Sequence, residues 1–185
     1  MSIPKSAKKV FSGEIFDVYQ WPQKMFDRTT KIFERVRRRD TVAVIATVGE
    51  KIIILKQRQP GSIWYYDLVG GRIDMRGASP RKYALSELLE ETGMKPQALK
   101  LYKKFQIGGH VEYTISLYIA QNCKQVAEQS LDGGERIQIE YCSFDALLKL
   151  TDRPDFYTNR VILDHLLKAR LDSRLRKALK NEIFS

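Results

Sequence analysis

The chain has 185 residues, 43% of them hydrophobic, which is enough for one sizeable core and excludes general disorder. No apolar run approaches the roughly 18 residues that cross a bilayer, and the start MSIPKSAKKV is polar and basic where a secretory signal would be apolar. Lys and Arg number 32 against 22 Asp and Glu, and the net charge of +10 makes the surface attractive to polyanions.

That charge is unevenly spread. Arg35, Arg37, Arg38 and Arg39 cluster before the first core strand, and Arg160, Lys168, Arg170, Arg174, Arg176, Lys177 and Lys180 crowd the other end. The plainer reading is a solvated face and a positive field that draws in a phosphorylated small substrate. The sharper one is contact with RNA or an anionic membrane surface, which no RNA-recognition signature with interleaved aromatics supports. Cys123 and Cys142 make no disulfide framework, so a reducing compartment, the cytoplasm, is expected.

Residues 10–21 and 30–37 are rich in strand formers and predict an N-terminal β segment within residues 1–40, either a sheet or a dimer-forming arm. Residues 41–185 then form the main domain. Residues 41–48 (TVAVIATV) and 52–56 (IIILK) read as two buried strands joined at Gly49-Glu50, and 63–69 as a strand leading to Gly70-Gly71. A helix is predicted over 80–92, then strands over 98–107 and 112–120 with Gly108-Gly109 between them. His110, beside that turn, reads as a surface or hydrogen-bonded residue more readily than as a ligand. A polar glycine loop, LDGGE at 131–135, precedes a strand over 136–142; helices follow over 144–150, about 155–170, and 171–180.

Residues 70–93, GGRIDMRGASPRKYALSELLEETG, carry the chemistry. The glycine pair permits a sharp turn and close approach to a ligand. Ser79 suits an N-cap, Pro80 the first helical position, and Gly93 the end. On that helix Glu87, Glu90 and Glu91 lie along one edge. They repel each other and the negative end of the helix dipole, a cost that a bound hard cation would offset. A solvated, charged helix face is the alternative. Ala84, Leu85, Leu88 and Leu89 dock the helix, so the glutamates border the docked face; oxygen ligands of this kind suit Mg²⁺ or Mn²⁺.

The segment resembles the signature of the Nudix hydrolases, Gx5Ex7REUxEExGU with U aliphatic. The run from Ser86 to Met94 matches its second half at every fixed position except the arginine, which is Ser86 here. Counted from Gly71, the first glutamate falls at Gly77, or at Ala78 if one residue is inserted around Met75 or Arg76. The signature is therefore degenerate: the brace between loop and helix is lost while the metal-binding glutamates remain. This bears on catalytic efficiency more than on fold.

The resemblance implies an α+β fold, an α/β/α sandwich with a mixed central sheet, the signature loop and helix, an N-terminal β segment and a helical C-terminus. It implies hydrolysis of a nucleoside diphosphate linked to another moiety, with ADP-ribose or an ADP-sugar first in line. Glu87, Glu90 and Glu91 would hold Mg²⁺ or Mn²⁺, with the backbone carbonyl at Gly70 or Gly71. Glu90 would ligate or act as base, and Glu135 in the LDGGE loop is the match for the group's loop base, with Glu140 second. Arg58, one residue before the place of the group's arginine, or Arg72 would meet phosphate. Glu112 falls where related enzymes place an acidic residue that helps at the metal centre. The N-terminal sheet of the ADP-ribose and ADP-sugar pyrophosphatases builds a homodimer and supplies aromatics to the adenine pocket, a role for Trp21 or Phe26 here unless they only fill core. The competing reading is a non-catalytic Nudix domain that binds nucleotide, RNA or a protein assembly.

Overall fold

The computed structural model describes residues 2–74, 77 and 79–185. The insertion expected around Met75 or Arg76, and Ala78, lie outside them. In chain order the strands are β1 (Lys8–Ser12), β2 (Phe16–Lys24), β3 (Thr30–Arg38), β4 (Thr41–Val48), β5 (Lys51–Arg58), β6 (Tyr65–Asp67), β7 (Met94–Lys95), β8 (Ala98–Ile107), β9 (Val111–Gln121), β10 (Lys124–Gln125) and β11 (Arg136–Cys142). The helices are α1 (Pro80–Thr92), α2 (Phe144–Lys149), α3 (Arg160–Leu171) and α4 (Ser173–Phe184), with a 3₁₀ turn at Leu150–Asp152.

The central sheet is mixed and runs β1-β2-β3-β9-β4-β5-β11, with β6 also on β5 and β8 on β9. β9 pairs in parallel with both β3 and β4, which makes the N-terminal strands continuous with the rest of the sheet. β4 and β5 are β-branched runs buried on both faces, as expected of strands at the centre of a three-layer stack. Their residues alternate between two cores. Ala43, Ile45, Ile52 and Ile54 face α2, α3 and α4 on one side, and Val42, Val44, Ile53 and Leu55 face α1 on the other. This is the α/β/α sandwich that the sequence predicts.

α1 keeps its predicted bounds, and Gly93 closes it in the left-handed conformation at φ 69°, its N–H donating to the Leu89 carbonyl at 2.7 Å. Ser79 occupies the N-cap position but caps through its backbone carbonyl, not its side chain. Two expectations shift. The strand predicted over 63–69 is regular only at Tyr65–Asp67. The helix predicted from 155 begins at Arg160, because Asn159 caps it and residues 155–157 pair with β6 instead: Tyr66 N–H donates to the Asp155 carbonyl, and Tyr157 N–H to that of Tyr66. No described helix is long and apolar enough to cross a membrane.

Candidate active site

β6 runs into the glycine turn, and the turn is stitched to β4. Gly71 and Val42 exchange backbone hydrogen bonds at 2.9 and 3.2 Å. Gly70 sits at φ 147°, where a Cβ would collide with the Val42 carbonyl oxygen and the Ala43 backbone, so only glycine fits. The space that a Gly71 side chain would fill is taken by the carboxylate of Glu87. Glu91 is buried, 4% exposed, and accepts a hydrogen bond from Gly70 N–H at 2.9 Å. The loop and helix therefore clasp each other through these two glutamates. Ser86, in the signature's arginine place, donates its hydroxyl to Glu90 at 2.6 Å.

The far end of α1 positions a second acid. Its terminal carbonyls are taken up by the segment that follows β10: Ser130 N–H donates to the Glu90 carbonyl, and the Gln129 amide to that of Glu91. The turn that follows, closed by Glu135 N–H to the Asp132 carbonyl at 2.9 Å, puts Glu135 on the same cavity as Glu87, Glu90 and Glu91. That cavity measures about 1240 Å³.

Its electrostatics are those of crowded acids. Burial, then the charges of Glu90, Glu135, Asp74 and Asp132, push the Glu87 carboxyl up to about 7. Burial also drives Glu91 well above the usual carboxylate range, aided by Glu87, Glu135 and Asp67 and opposed by the Gly70 hydrogen bond. Glu135 is raised by burial as well. Among the described residues no three of these side chains already converge in a ligating cage. The cavity holds the donors that a hard divalent cation takes, spread along its wall.

The other expected residues divide between the cavity and places outside it. Arg58 does not line the cavity: Gln57 and Gln59 do, and the guanidinium of Arg58 instead covers Trp64 at 5.0 Å. Arg38, at the end of β3, does reach in, held over the Tyr113 ring at 4.9 Å and donating to the Thr41 hydroxyl. Arg72 lines the cavity and pairs with Asp74 at 2.6 Å. Trp21, 6% exposed, is packed edge-on against Phe33 and donates to Gln23; Phe26 is fully exposed near the β2–β3 turn. Glu112 is drawn away by Ile3 N–H at 2.6 Å and Arg37 at 3.2 Å, which tie the N-terminus to β9. Glu140 meets the Tyr66 hydroxyl at 3.4 Å, outside the cavity. The Gly71 carbonyl already serves Val42, whereas the Gly70 carbonyl accepts no hydrogen bond among the described residues.

Three features escaped the sequence. Arg38 was one of a run of arginines with nothing to single it out. Asp67, whose burial lifts it to about 6 against hydrogen bonds from Leu68 N–H and the Thr158 hydroxyl, lines the cavity. So does a stacked pair, Tyr65 and Tyr157. The last two depend on residues far apart in the chain, and no local signal could join them.

The NUDIX domain family matches residues 37–165. Two curated proteins are similar at 27% identity: an ADP-ribose pyrophosphatase of Bacillus subtilis (strain 168), over 81% of this chain and 83% of its own length, and a methanol dehydrogenase activator of Bacillus methanolicus, over 84% and 86%. A solved structure described as an ADP compounds hydrolase has the same fold, with a TM-score of 0.72 at 19% identity over 92% of this chain and 94% of that one. With the matched region spanning the glycine turn, α1 and the loop of Glu135, the chain belongs to the NUDIX family and is similar to its ADP-ribose pyrophosphatase group.

Proposed function

We propose that this protein is a metal-dependent hydrolase that splits a nucleoside diphosphate linked to another moiety, ADP-ribose or an ADP-sugar first, into a nucleoside monophosphate and a phosphorylated product. The observation that carries the reading is the clasp of Gly70 and Gly71 against Glu87 and Glu91, with Glu90 and Glu135 on the same cavity. The donor set fits a divalent cation, Mg²⁺ or Mn²⁺: buried carboxylates that repel one another are stabilised by a positive charge among them, and Glu87, Glu90, Glu91 and the Gly70 carbonyl would hold it. When bound, such an ion neutralises phosphate oxygens and makes water easier to deprotonate.

The chain's own residues supply the rest. Arg38 and Arg72 face the cavity with the guanidinium geometry that phosphate accepts. Glu135 takes the proton of the attacking water, a role suited to a carboxyl lifted by burial towards working pH; Glu90 is the second candidate for it. Exposed apolar residues on the N-terminal strands, among them Val10, Phe11 and Ile32, fit a homodimer face, and the free cysteines fit a reducing compartment.

The test is release of monophosphate from ADP-ribose, ADP-sugars, NADH, dinucleoside polyphosphates and nucleoside triphosphates, with Mg²⁺, Mn²⁺ or chelator. Chelator-sensitive turnover of ADP-ribose or an ADP-sugar is expected. Silence across the panel from folded protein would leave the binding-domain reading.

A further inference from the structure

The cavity of about 1240 Å³ extends beyond the acid cluster to a pair of aromatic rings, Tyr65 and Tyr157, in its wall. Tyr65 and Tyr157 stack with ring centroids 5.0 Å apart and planes 20° from parallel. Tyr65 is the inner ring, close enough to Glu91, Glu135 and Asp67 to feel their charges. Tyr157 is the outer ring and is 54% exposed. The pair thus leads from the acids to solvent.

The platform is fixed from behind. Tyr157 N–H donates to the Tyr66 carbonyl at 2.8 Å, and Tyr66 N–H to that of Asp155 at 2.7 Å. Buried Phe156 lies between these anchors, and Asn159, two residues on, caps α3. A ring held this way loses little freedom when something stacks on it. The hydrogen-bonding groups nearby, Asp67 and Thr158, are engaged with each other, so the outer ring offers a flat π surface more than a set of hydroxyl contacts. A planar heterocycle matches that surface better than a sugar does.

We propose that Tyr157, backed by Tyr65, is the platform on which the nucleobase of the substrate stacks. This rests on the hydrolase reading above, and it places the base on this chain's own cavity wall, while Trp21 stays packed under Phe33.

The test uses full-length protein with Mg²⁺ and two probes, AMP, which carries a base, and ribose 5-phosphate, which does not. Both are titrated by calorimetry into wild type, Tyr157→Ala and Tyr157→Phe. The alanine variant should bind AMP about tenfold or more weakly, with ribose 5-phosphate changed less than about twofold, and the phenylalanine variant should match wild type because stacking needs the ring alone. Where ADP-ribose is turned over, its KM in Tyr157→Ala should rise more than kcat falls. Equal loss of both probes, unchanged AMP binding, failure of wild type to bind AMP, or a phenylalanine variant as weak as alanine would overturn the proposal. AMP binding is read without turnover, so a protein that binds AMP on Tyr157 yet leaves ADP-ribose intact would refute the hydrolase reading alone.

Discussion

Gly71 lacks a side chain because Glu87 occupies its place. The atoms that an alanine would meet are the end of a flexible side chain, so Gly71→Ala should fold, with Tm close to wild type, yet displace that carboxylate. A misplacement of this size in an active site costs on the order of a hundredfold in turnover; a variant with full activity would detach Glu87 from the chemistry. A second contrast is between two arginines. Arg38 faces the cavity and Arg58 faces Trp64. Arg38→Ala should raise KM for ADP-ribose about tenfold or more, as expected for losing a charge-assisted hydrogen bond. Arg58→Ala should stay within about twofold. The reverse order, measured on both purified variants, would restore the arginine that the sequence motif favours.

α1 is set by local signals and α3 by distant ones, and this separates what could be read in advance from what could not. Pro80, the spacing of Ala84 and Leu88, and Gly93 define α1 from within its own stretch, and the three glutamates came with it. Residues 155–157 hold no such signal. They leave the helical pattern because β6, a partner far away in the chain, offers them hydrogen bonds. Arg58 was ambiguous for a related reason: β5 is buried on both faces, so its run of isoleucines shows no polar alternation from which a direction could be taken. The place of Glu112 could not be read in advance, because the pairing of β9 with β3, and with it the contacts to Arg37 and Ile3, is long-range. The N-terminus of α3 yields its own prediction. Asn159 caps Val161 N–H and donates to the Tyr113 hydroxyl at 2.9 Å. Asn159→Ala should lose about 1 kcal/mol in a urea melt. No loss would mean that pairing with β6, not the cap, sets the start of the helix.

Across the whole molecule, the active-site acids make stability depend on pH in an unusual direction. Glu87 is raised to about 7 and Glu91 well above its usual range, so the folded state keeps protons that the unfolded chain releases. Stability of the metal-free protein should therefore fall as pH rises through about 7. His165, lowered mainly by burial, works the other way once pH drops below about 6.5, so the window to examine is about pH 6.5 to 8. Within it Tm should rise on acidification, and Mg²⁺ should raise Tm more at the alkaline end, where fewer protons compete with it for the carboxylates. A flat profile would count against the crowding described. The most direct measurement joins this cost to the chemistry: turnover of ADP-ribose with Mg²⁺ by wild type and Glu91→Gln, with Tm on the same samples. The substituted amide keeps an acceptor for Gly70 N–H and cannot ionise in its buried place, so the variant should be at least as stable without metal, most clearly at the alkaline end of that window. Its turnover should fall beyond the roughly 10–100-fold cost of losing an outer partner of a metal ligand, and Mg²⁺ should raise its Tm less than that of wild type. Unchanged turnover in a folded Glu91→Gln protein would contradict the account.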